Sequence, residues 1–346
     1  MMQIAELETV APHAEEFHPR RFLANGHLQT IAGNYLPRAN HLPPAEDQLV
    51  EVSPATGGQI SSQVLCQCHW QSEEVRATRP TAIIVHGLEG SSNSQYVIGN
   101  ANKLWRSGCN IVRMNMRNCG GTEALTPTLY HSGLSSDVLA VMRFFIERYR
   151  LASIAIVGYS MGGNLVLKLA GELGAAAPPE LRSAIGVSPA MDLGPSADAL
   201  HRLENRAYEH KFLRALLRRF RRKTVLFPRA YDRNRAAGIH SLREFDDRIT
   251  ALYSGFSSAE DYYTRAAAAR VADRIAIPTL ILHALDDPFV RITGGTRTKI
   301  AANPNITLIE PEHGGHCAFL AQPNEASGYD GYWAEHTLVR FLLENA

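Results

Sequence analysis

The 346-residue chain is predicted to fold as an α/β protein with a mostly parallel central sheet and helices on both faces. Three observations predict this class. Short apolar runs typical of buried strands alternate with longer segments whose apolar residues recur at helical spacing. Hydrophobic residues make up 45% of the sequence and charged residues 20%, which fits a globular chain with a full core. No apolar run approaches the about 18 residues that a membrane span requires, so no membrane span is expected.

The N-terminal segment is the least regular part of the sequence. Residues 1–46 are predicted to form an arm that packs on the core, because they contain five prolines and show no clear periodicity. Residues 20–30, with the sequence RRFLANGHLQT, are interpreted as a loop that packs through Phe22, Leu23 and Leu28. The first residues carry no basic segment followed by an apolar stretch, so no signal peptide is expected.

An antiparallel hairpin is predicted over residues 48–70, where polar and β-branched residues alternate around a Gly-Gly pair. It would lie at one edge of the sheet. Four further strands are predicted at residues 81–85, 110–114, 154–157 and 183–187. A helical segment follows each of the first three, and this order of strand, helix and strand favours parallel pairing.

The alternation stops near residue 191. Residues 192–271 contain no clear strand and are predicted to form a helical cap inserted into the core, which is thereby divided into residues 47–191 and 272–346. The last strands are predicted at 279–283 and 306–309. Within the cap, residues 211–235 carry ten basic residues against one acid. This stretch is interpreted as a solvated helical face, with a patch for an anionic substrate group or peripheral contact with lipid as the alternative.

Residues 158–162, Gly-Tyr-Ser-Met-Gly, lie between a predicted strand and a predicted helix. The pattern G-x-S-x-G at such a junction is typical of a nucleophile elbow. The glycines at its two ends remove Cβ atoms that would clash in so tight a turn. The hydroxyl of Ser160 would then stand above the sheet, next to the positive end of a helix. A glycine-rich turn with an incidental serine is disfavoured, because the flanking elements are those that the motif needs.

A serine hydroxyl is a weak nucleophile and needs an adjacent base. After a nucleophile elbow, the acid and then the base follow in the sequence. Asp286 and Asp287 both follow the strand at 279–283, and a valine three residues after the acid selects Asp287, with Asp286 as the alternative. His316 lies in the loop after the last strand and is the predicted base, with His313 as its rival. The two histidines have no third ligand at a suitable spacing, so no metal is expected.

The oxyanion hole needs two backbone N–H groups directed at the developing negative charge. Met161, directly after the nucleophile, would supply one of them. Leu88 would supply the other, from a loop in which Gly87 and Gly90 let the backbone bend closely. His86 in the same loop is interpreted as a residue that fixes the loop rather than as a catalyst.

These residues predict triad chemistry on an ester. His316 would take the proton of Ser160, Asp287 would orient the imidazole, and an acyl-enzyme would form and then be removed by water or by an alcohol. Ester hydrolysis and acyl transfer use the same residues, so both reactions stay open. A non-catalytic binding protein is disfavoured, because each member of the triad has a candidate.

With these motifs, the chain resembles the YheT-like α/β-hydrolases over most of its length. The resemblance is carried by FLANGHLQT at 22–30, HGLEGSS at 86–92 with Tyr96, YHSG at 130–133, GYSMGGN at 158–164, EFDD at 244–247, Tyr262 with Tyr263, DDPF at 286–289 and HGGH at 313–316. It implies an α/β-hydrolase fold, carboxylesterase-type activity on short- to medium-chain acyl esters, and a triad of Ser160, Asp287 and His316. Some eukaryotic members of the family are similar to acyl-CoA:alcohol acyltransferases or act on phospholipids and monoacylglycerols.

Composition gives the remaining expectations. The five cysteines are an odd number, so a complete disulfide framework is not expected, and a reducing cytoplasm is the natural location. The net charge of +1 gives no reason to expect a nucleic-acid partner. The expected partner is a small-molecule acyl ester, without a cofactor. Nothing in the sequence indicates an oligomeric state.

Overall fold

The computed structural model describes residues 16–55, 58 and 60–346 of the chain. Two expectations concern residues 1–15 and lie outside the described residues. They are that the arm begins there and that the segment is not a signal peptide. The same holds for Gly57 in the predicted hairpin turn.

One central sheet contains eight strands in the order β1-β2-β4-β3-β5-β6-β7-β8. The strands are β1 (Glu46–Ser53), β2 (Ser62–His69), β3 (Thr81–Val85), β4 (Asn110–Met114), β5 (Ile154–Tyr159), β6 (Leu181–Val187), β7 (Thr279–Leu282) and β8 (Ile306–Ile309). Strand β2 runs antiparallel to both β1 and β4, and all other neighbouring pairs are parallel. The predicted mostly parallel sheet with an antiparallel N-terminal edge is confirmed.

Helices surround the sheet. They are α1 (Gly26–Tyr35), α2 (Glu73–Arg76), α3 (Gln95–Arg106), α4 (Ser135–Tyr149), α5 (Met161–Leu173), α6 (Leu193–Leu200), α7 (Arg206–Leu226), α8 (Leu242–Phe245), α9 (Leu252–Ser254), α10 (Ala259–Ala266), α11 (Gly294–Ala301) and α12 (Trp333–Glu344), with a π-helical segment at Asp246–Ala251. None of the helices in the described part of the chain has the length and apolar character needed to cross a bilayer.

The core lies on both faces of the sheet, because successive side chains of a strand point to opposite sides. In β3, Ile83 and Val85 belong to the cluster that includes residues of α4 and α5. Ala82 and Ile84 belong to the second cluster, which includes residues of α3 and α12. All four residues are buried. Helices therefore cover both faces, as the sequence predicts.

Between β6 and β7 the described chain contains only helices, α6 to α10 and their connections. The longest, α7, has 21 residues and two different faces. Its buried side includes Leu213, Leu216 and Phe220, at the spacing of three to four residues that places side chains on one side of a helix. Its exposed side is basic and carries Lys211, Arg214, Arg218 and Arg221.

The interpretation of residues 20–30 as an apolar loop is wrong. Phe22 is 80% exposed and Leu28 is 49% exposed, so neither side chain anchors the arm. Helix α1 begins in this segment with Asn25 as its N-cap, and the Asn25 carboxamide oxygen accepts the backbone N–H groups of His27 and Leu28 at 3.0 and 3.2 Å. The arm is held instead by Phe17, which packs on Phe319 and Trp333, and by polar groups of α1 that contact the loop after β8.

Candidate active site

Ser160 occupies the turn between β5 and α5 in a strained backbone conformation. Its φ is 54° and its ψ is −115°, which few residues other than glycine adopt. A Cβ atom on Gly158 would lie 2.1 Å from the carbonyl oxygen of Gly162. A Cβ atom on Gly162 would lie 2.4 Å from the carbonyl oxygen of His86. Both glycines are therefore required by close backbone contacts, as the elbow interpretation demands.

His316 and Asp287 are in direct contact. Nδ1 of His316 lies 2.7 Å from Oδ2 of Asp287, and the two side chains are only 11% and 1% exposed. The other carboxylate oxygen, Oδ1, accepts the backbone N–H groups of Phe289 and Val290 at 3.0 and 2.8 Å. The two backbone N–H groups thus fix the Asp287 carboxylate through Oδ1, and Oδ2 is directed at the imidazole of His316. Nε2 of His316 remains available for a proton transfer.

The charges of this pair support each other. Burial acts to lower the pKa of His316, but Cys317 and the Asp287 carboxylate outweigh burial and hold that pKa above its ordinary value. Burial likewise acts to raise the pKa of Asp287, but His316 and the backbone N–H of Val290 more than offset it, so the pKa of Asp287 is lowered. An ionised Asp287 therefore stabilises the imidazolium form of His316.

The two rival candidates have different partners. Oδ1 of Asp286 accepts the backbone N–H of Gly315 at 2.8 Å. Oδ2 of Asp286 lies 3.6 Å from Nδ1 of His313, whose side chain is 41% exposed. Asp286 thus braces the loop that carries His316, whereas the carboxylate that contacts the His316 imidazole is that of Asp287.

The end of β6 brings the elbow and the histidine loop together. The backbone N–H of Ser160 donates to the carbonyl oxygen of Val187 at 2.9 Å. The backbone N–H of Cys317 donates to Oγ of Ser188, the next residue, at 3.0 Å. Within the described chain, the Ser160 hydroxyl makes no hydrogen bond, and catalytic hydrogen bonds are often long before substrate binds.

The predicted oxyanion residues both line the cavity in front of Ser160. Met161 is the first residue of α5, where backbone N–H groups have no partner within the helix. The backbone N–H groups of Leu88 and Met161 form no hydrogen bond with any other described residue. Two unpaired donors beside Ser160 are what an oxyanion developing there would require.

The loop that carries Leu88 is anchored on both sides of this residue. The backbone N–H of Gly87 donates to the hydroxyl of Tyr96 at 2.9 Å. The backbone N–H of Glu89 donates to the hydroxyl of Tyr130 at 3.3 Å, and this hydroxyl in turn donates to Oε1 of Glu89 at 2.5 Å. The free N–H of Leu88 is therefore held between two fixed neighbours.

Among the described residues, the hydrogen-bond partners of His86 are backbone groups. Its Nε2 accepts the backbone N–H of Met116 at 3.1 Å, so its Nδ1 carries the proton and donates to the carbonyl oxygen of Gly87 at 2.8 Å. Burial lowers the pKa of His86 to about 4, which keeps the ring neutral. These contacts join the segment after β4 to the loop that carries Leu88.

Sequence reasoning missed that α1 positions the histidine loop. The hydroxyl of Thr30 accepts the backbone N–H of His316 at 2.8 Å and donates to the carbonyl oxygen of Gly26 at 2.7 Å. A Cβ atom on Gly26 would lie 2.1 Å from the carbonyl oxygen of Asp286, so only glycine allows this approach. The first turn of α1 therefore contacts the segments of both the predicted acid and the predicted base.

Gln29 forms the second part of this support. It is fully buried, its Oε1 accepts the backbone N–H of Leu320 at 2.8 Å, and its Nε2 donates to the carbonyl oxygen of Leu320 at 3.0 Å. A glycine, a glutamine and a threonine at one-turn spacing after an Asn N-cap are the signal that could have indicated a helix packed through polar groups.

Ser160 lies at a cleft whose wall is mainly apolar and is formed in part by the helices between β6 and β7. The apolar residues on the wall include Leu129, Leu193, Leu200, Phe212, Leu216 and Phe220. Arg219 also lines the cleft, but its guanidinium is paired with Glu89: Nε lies 2.8 Å from Oε1 and Nη2 lies 3.0 Å from Oε2. Arg219 therefore connects α7 to the loop of Leu88 and does not present a free charge to substrate.

Comparison with known proteins identifies the family. The family model for the alpha/beta hydrolase fold matches residues 80–323. The chain belongs to the α/β-hydrolase superfamily. It is 31% identical over 308 residues to YheT of Escherichia coli (strain K12), across 88% of this chain and 87% of that protein. The YheT-like resemblance predicted from the motifs is thereby confirmed.

Two further relatives act on lipids according to their names. Phospholipase ABHD3 of Mus musculus is 30% identical over 307 residues, covering 88% of this α/β-hydrolase and 74% of the relative. Monoacylglycerol lipase of Saccharomyces cerevisiae is 28% identical over 274 residues, covering 76% and 59%. This chain is an α/β hydrolase of the esterase and lipase type.

Solved structures share the fold at low sequence identity. The 2,6-dihydroxy-pseudo-oxynicotine hydrolase has a TM-score of 0.56 at 16% identity, over 92% of this chain and 71% of that one. Est1E from Butyrivibrio proteoclasticus has a TM-score of 0.51 at 15% identity, over 88% and 99%. The predicted α/β-hydrolase fold is confirmed by these neighbours together with the family match.

Proposed function

We propose that this hydrolase is a serine carboxylesterase that cleaves short- to medium-chain acyl esters through an acyl-enzyme on Ser160. The observation that carries the proposal is the buried contact of 2.7 Å between His316 and Asp287, in a loop anchored beside the strained Ser160. A mainly apolar cleft over the serine supports an acyl chain as the group that is bound.

In the proposed mechanism, the Ser160 oxygen attacks the ester carbonyl while Nε2 of His316 takes the hydroxyl proton. The anionic Asp287 stabilises the resulting imidazolium. The N–H groups of Leu88 and Met161 bind the oxyanion of the tetrahedral intermediate. As this intermediate collapses, the imidazolium donates its proton to the leaving alcohol and the acyl-enzyme forms. His316 then deprotonates a water molecule, which attacks the acyl-enzyme, releases the acid and restores Ser160.

Lipid esters are the second candidate substrates. The named activities of the phospholipase and monoacylglycerol lipase relatives favour them, as does the apolar cleft. Transfer of the acyl group to an alcohol, including transfer from acyl-CoA, would use the same residues, because the acyl-enzyme is common to both reactions. Adding an alcohol to the assay separates hydrolysis from transfer, since transfer yields a new ester instead of the free acid.

The segment 192–271 would act as a cap that touches anionic lipid from its outer side. In support, Lys211, Arg214, Arg218 and Arg221 lie exposed on α7, and no carboxylate of the described residues lies within 4.0 Å of their charged groups. Sedimentation with vesicles of phosphatidylcholine, with and without phosphatidylglycerol, tests this contact. Equal binding to both vesicle types would exclude it.

A cytoplasmic location is proposed because all five cysteines are free thiols.

The experiment that tests the function is a chain-length series of p-nitrophenyl esters, run with the wild type and Ser160→Ala. The wild type is expected to prefer short to medium chains, and Ser160→Ala is expected to lower kcat by at least about 10³-fold. If Ser160→Ala keeps wild-type activity, Ser160 is not the nucleophile. If the wild type cleaves none of the esters, ester hydrolysis is not its function.

A further inference from the structure

The Glu-Phe-Asp-Asp segment at 244–247 contains two adjacent carboxylates with different surroundings. Asp247 is exposed, and its Oδ1 accepts the backbone N–H of Ala259 at 3.0 Å, at the start of α10. Asp246 instead begins the π-helical segment Asp246–Ala251 and lines the cleft that contains Ser160. π-Helical turns are rare and are frequent at functional sites. Asp247 therefore has a structural contact, whereas Asp246 faces the space available to substrate.

Two neighbouring hydroxyl groups fix the Asp246 side chain. Thr250 donates from Oγ1 to Oδ1 of Asp246 at 2.7 Å, and Tyr263 donates from its hydroxyl to Oδ2 at 2.7 Å. Both residues also line the cleft. An ionised carboxylate offers about four acceptor positions, and these bonds occupy two of them. The carboxylate is thus preorganised with acceptor capacity left for another donor.

A carboxylate on an apolar wall needs such partners, because an unpaired buried charge is strongly destabilising. Burial raises the pKa of Asp246 to about 6, while Tyr263, Thr250 and Arg243 act against this rise. At neutral pH the group is therefore mainly ionised and acts as an acceptor. A neutral side chain at position 246 could also accept the hydrogen bonds of Thr250 and Tyr263. These two hydroxyls therefore do not explain why a charged group lies here.

We propose that Asp246 determines specificity by accepting a hydrogen bond from a hydroxyl group of the ester substrate, carried either on the acyl chain or on the alcohol. The inference rests on the proposed ester hydrolysis at Ser160 and names the substrate class of the same site. The apolar wall binds the hydrocarbon part, and Asp246 supplies a polar position for a hydroxyl at a distance from the ester bond.

A neutral hydroxyl fits this position better than an ammonium group. Arg243 packs on Tyr263, a hydrogen-bond partner of Asp246: its guanidinium carbon is 5.1 Å from the ring centroid of Tyr263, and its charge acts to lower the pKa of Asp246. Arg243 therefore partly compensates the charge of the Asp246 carboxylate. Moving an ammonium group into a mainly apolar cleft would add a large desolvation penalty, which a hydroxyl does not incur.

The test compares matched esters that differ by one hydroxyl. The acyl arm uses p-nitrophenyl hexanoate and p-nitrophenyl 6-hydroxyhexanoate, and the alcohol arm uses propyl octanoate and 3-hydroxypropyl octanoate. In at least one arm, the wild type is expected to have the higher kcat/KM for the hydroxylated ester, and that arm identifies the source of the hydroxyl. Asp246→Asn is expected to lower the ratio of the two kcat/KM values about 10- to 100-fold, because a hydrogen bond to a charged group is lost.

Asp247→Asn is the matched control, since it removes the adjacent carboxylate outside the cleft, and it is expected to keep the wild-type ratio. A wild-type ratio of one or less in both arms would overturn the proposal, and this result does not require Asp246→Asn to fold. An equal loss on both esters of a pair in Asp246→Asn would also overturn it, because that pattern reflects structure alone. If no ester of either arm is cleaved, the proposed function itself fails.

Discussion

The backbone N–H of His316 donates to the hydroxyl of Thr30 at 2.8 Å, across 286 positions of the sequence. The same hydroxyl donates to the carbonyl oxygen of Gly26 one turn earlier. Helix α1 thus supports the loop of the proposed base, although it contributes no group to the chemistry. Thr30 is in this sense a positioning residue, whose removal should act on the rate more than on substrate binding.

Replacing Thr30 by the isosteric valine tests this support. Thr30→Val is expected to lower kcat about 10-fold with little change in KM, because the His316 loop loses one hydrogen bond of about 1–2 kcal/mol. Thr298→Val is a matched control, since Thr298 makes the same bond to the carbonyl oxygen four residues earlier but is exposed. Steady-state kinetics of the two variants test this role. Equal kcat values would show that α1 does not position the His316 loop.

A second prediction concerns pH. The base must be neutral to accept the proton, and the pKa of His316 is raised, so kcat/KM is expected to rise with pH through a pKa above the ordinary value of 6.5. Activity is therefore lost as the pH falls below that raised value. Asp287→Asn removes the carboxylate, so the apparent pKa should fall and kcat should drop by about 10⁴-fold.

The control for this profile is Asp286→Asn. Its carboxylate contacts the backbone of Gly315 rather than the His316 ring, so the variant is expected to keep the wild-type apparent pKa. A pH–rate profile of both variants separates the two aspartates. A larger loss of activity in Asp286→Asn than in Asp287→Asn would move the acid to Asp286.

The positions of the strands and the elbow could be predicted because their signals are local. Apolar runs predict β3 to β8. The glycines on either side of Ser160 indicate a tight turn, and the motif that predicts this turn spans only five residues. The positions of Asp287 and His316 follow from the order of elements in the chain. The valine three residues after the acid selected the same carboxylate that contacts His316 in the structure, at 2.7 Å.

Contacts between distant polar groups could not be predicted. Nothing near Thr30 in the sequence identifies His316 as its partner, and apolar residues such as Phe22 gave the wrong anchors for the arm. The partner of Arg219 could not be predicted either. This residue belongs to a basic run that suggests a solvated face, yet its charge is paired with Glu89. Partners of this kind depend on how separate elements pack, which periodicity does not record.

The pair of Arg219 and Glu89 gives a third prediction. The two side chains are only 14% and 12% exposed, so removing either charge leaves the other poorly solvated beside the loop of Leu88. Arg219→Gln and Glu89→Gln are each expected to lower kcat about 10-fold or more, and the double variant should lose less than the sum of the two effects. Arg222→Gln, at an arginine that is 60% exposed, is the control with a small effect. If the effects of the two single variants on kcat simply add in the double variant, the pair does not connect α7 functionally to the loop of Leu88.

The elbow itself yields a fourth prediction, on stability. Gly162→Ala would place a Cβ atom 2.4 Å from the carbonyl oxygen of His86, so unfolding is expected to require about 3 kcal/mol less free energy. Gly295→Ala, in α11 with no atom within 4 Å of the added carbon, should stabilise the protein by up to about 1 kcal/mol. Urea unfolding measures both variants. Equal stability of the two would contradict the tight turn.

The most direct measurement is the site of acylation during turnover. The enzyme is mixed with p-nitrophenyl butyrate, quenched in acid within the first turnover and digested, and the acylated peptide is identified by mass spectrometry. The account predicts a burst of p-nitrophenol with the butyryl group on Ser160, and neither burst nor label in Ser160→Ala. A butyryl group on another residue, or a burst that persists in Ser160→Ala, would contradict it.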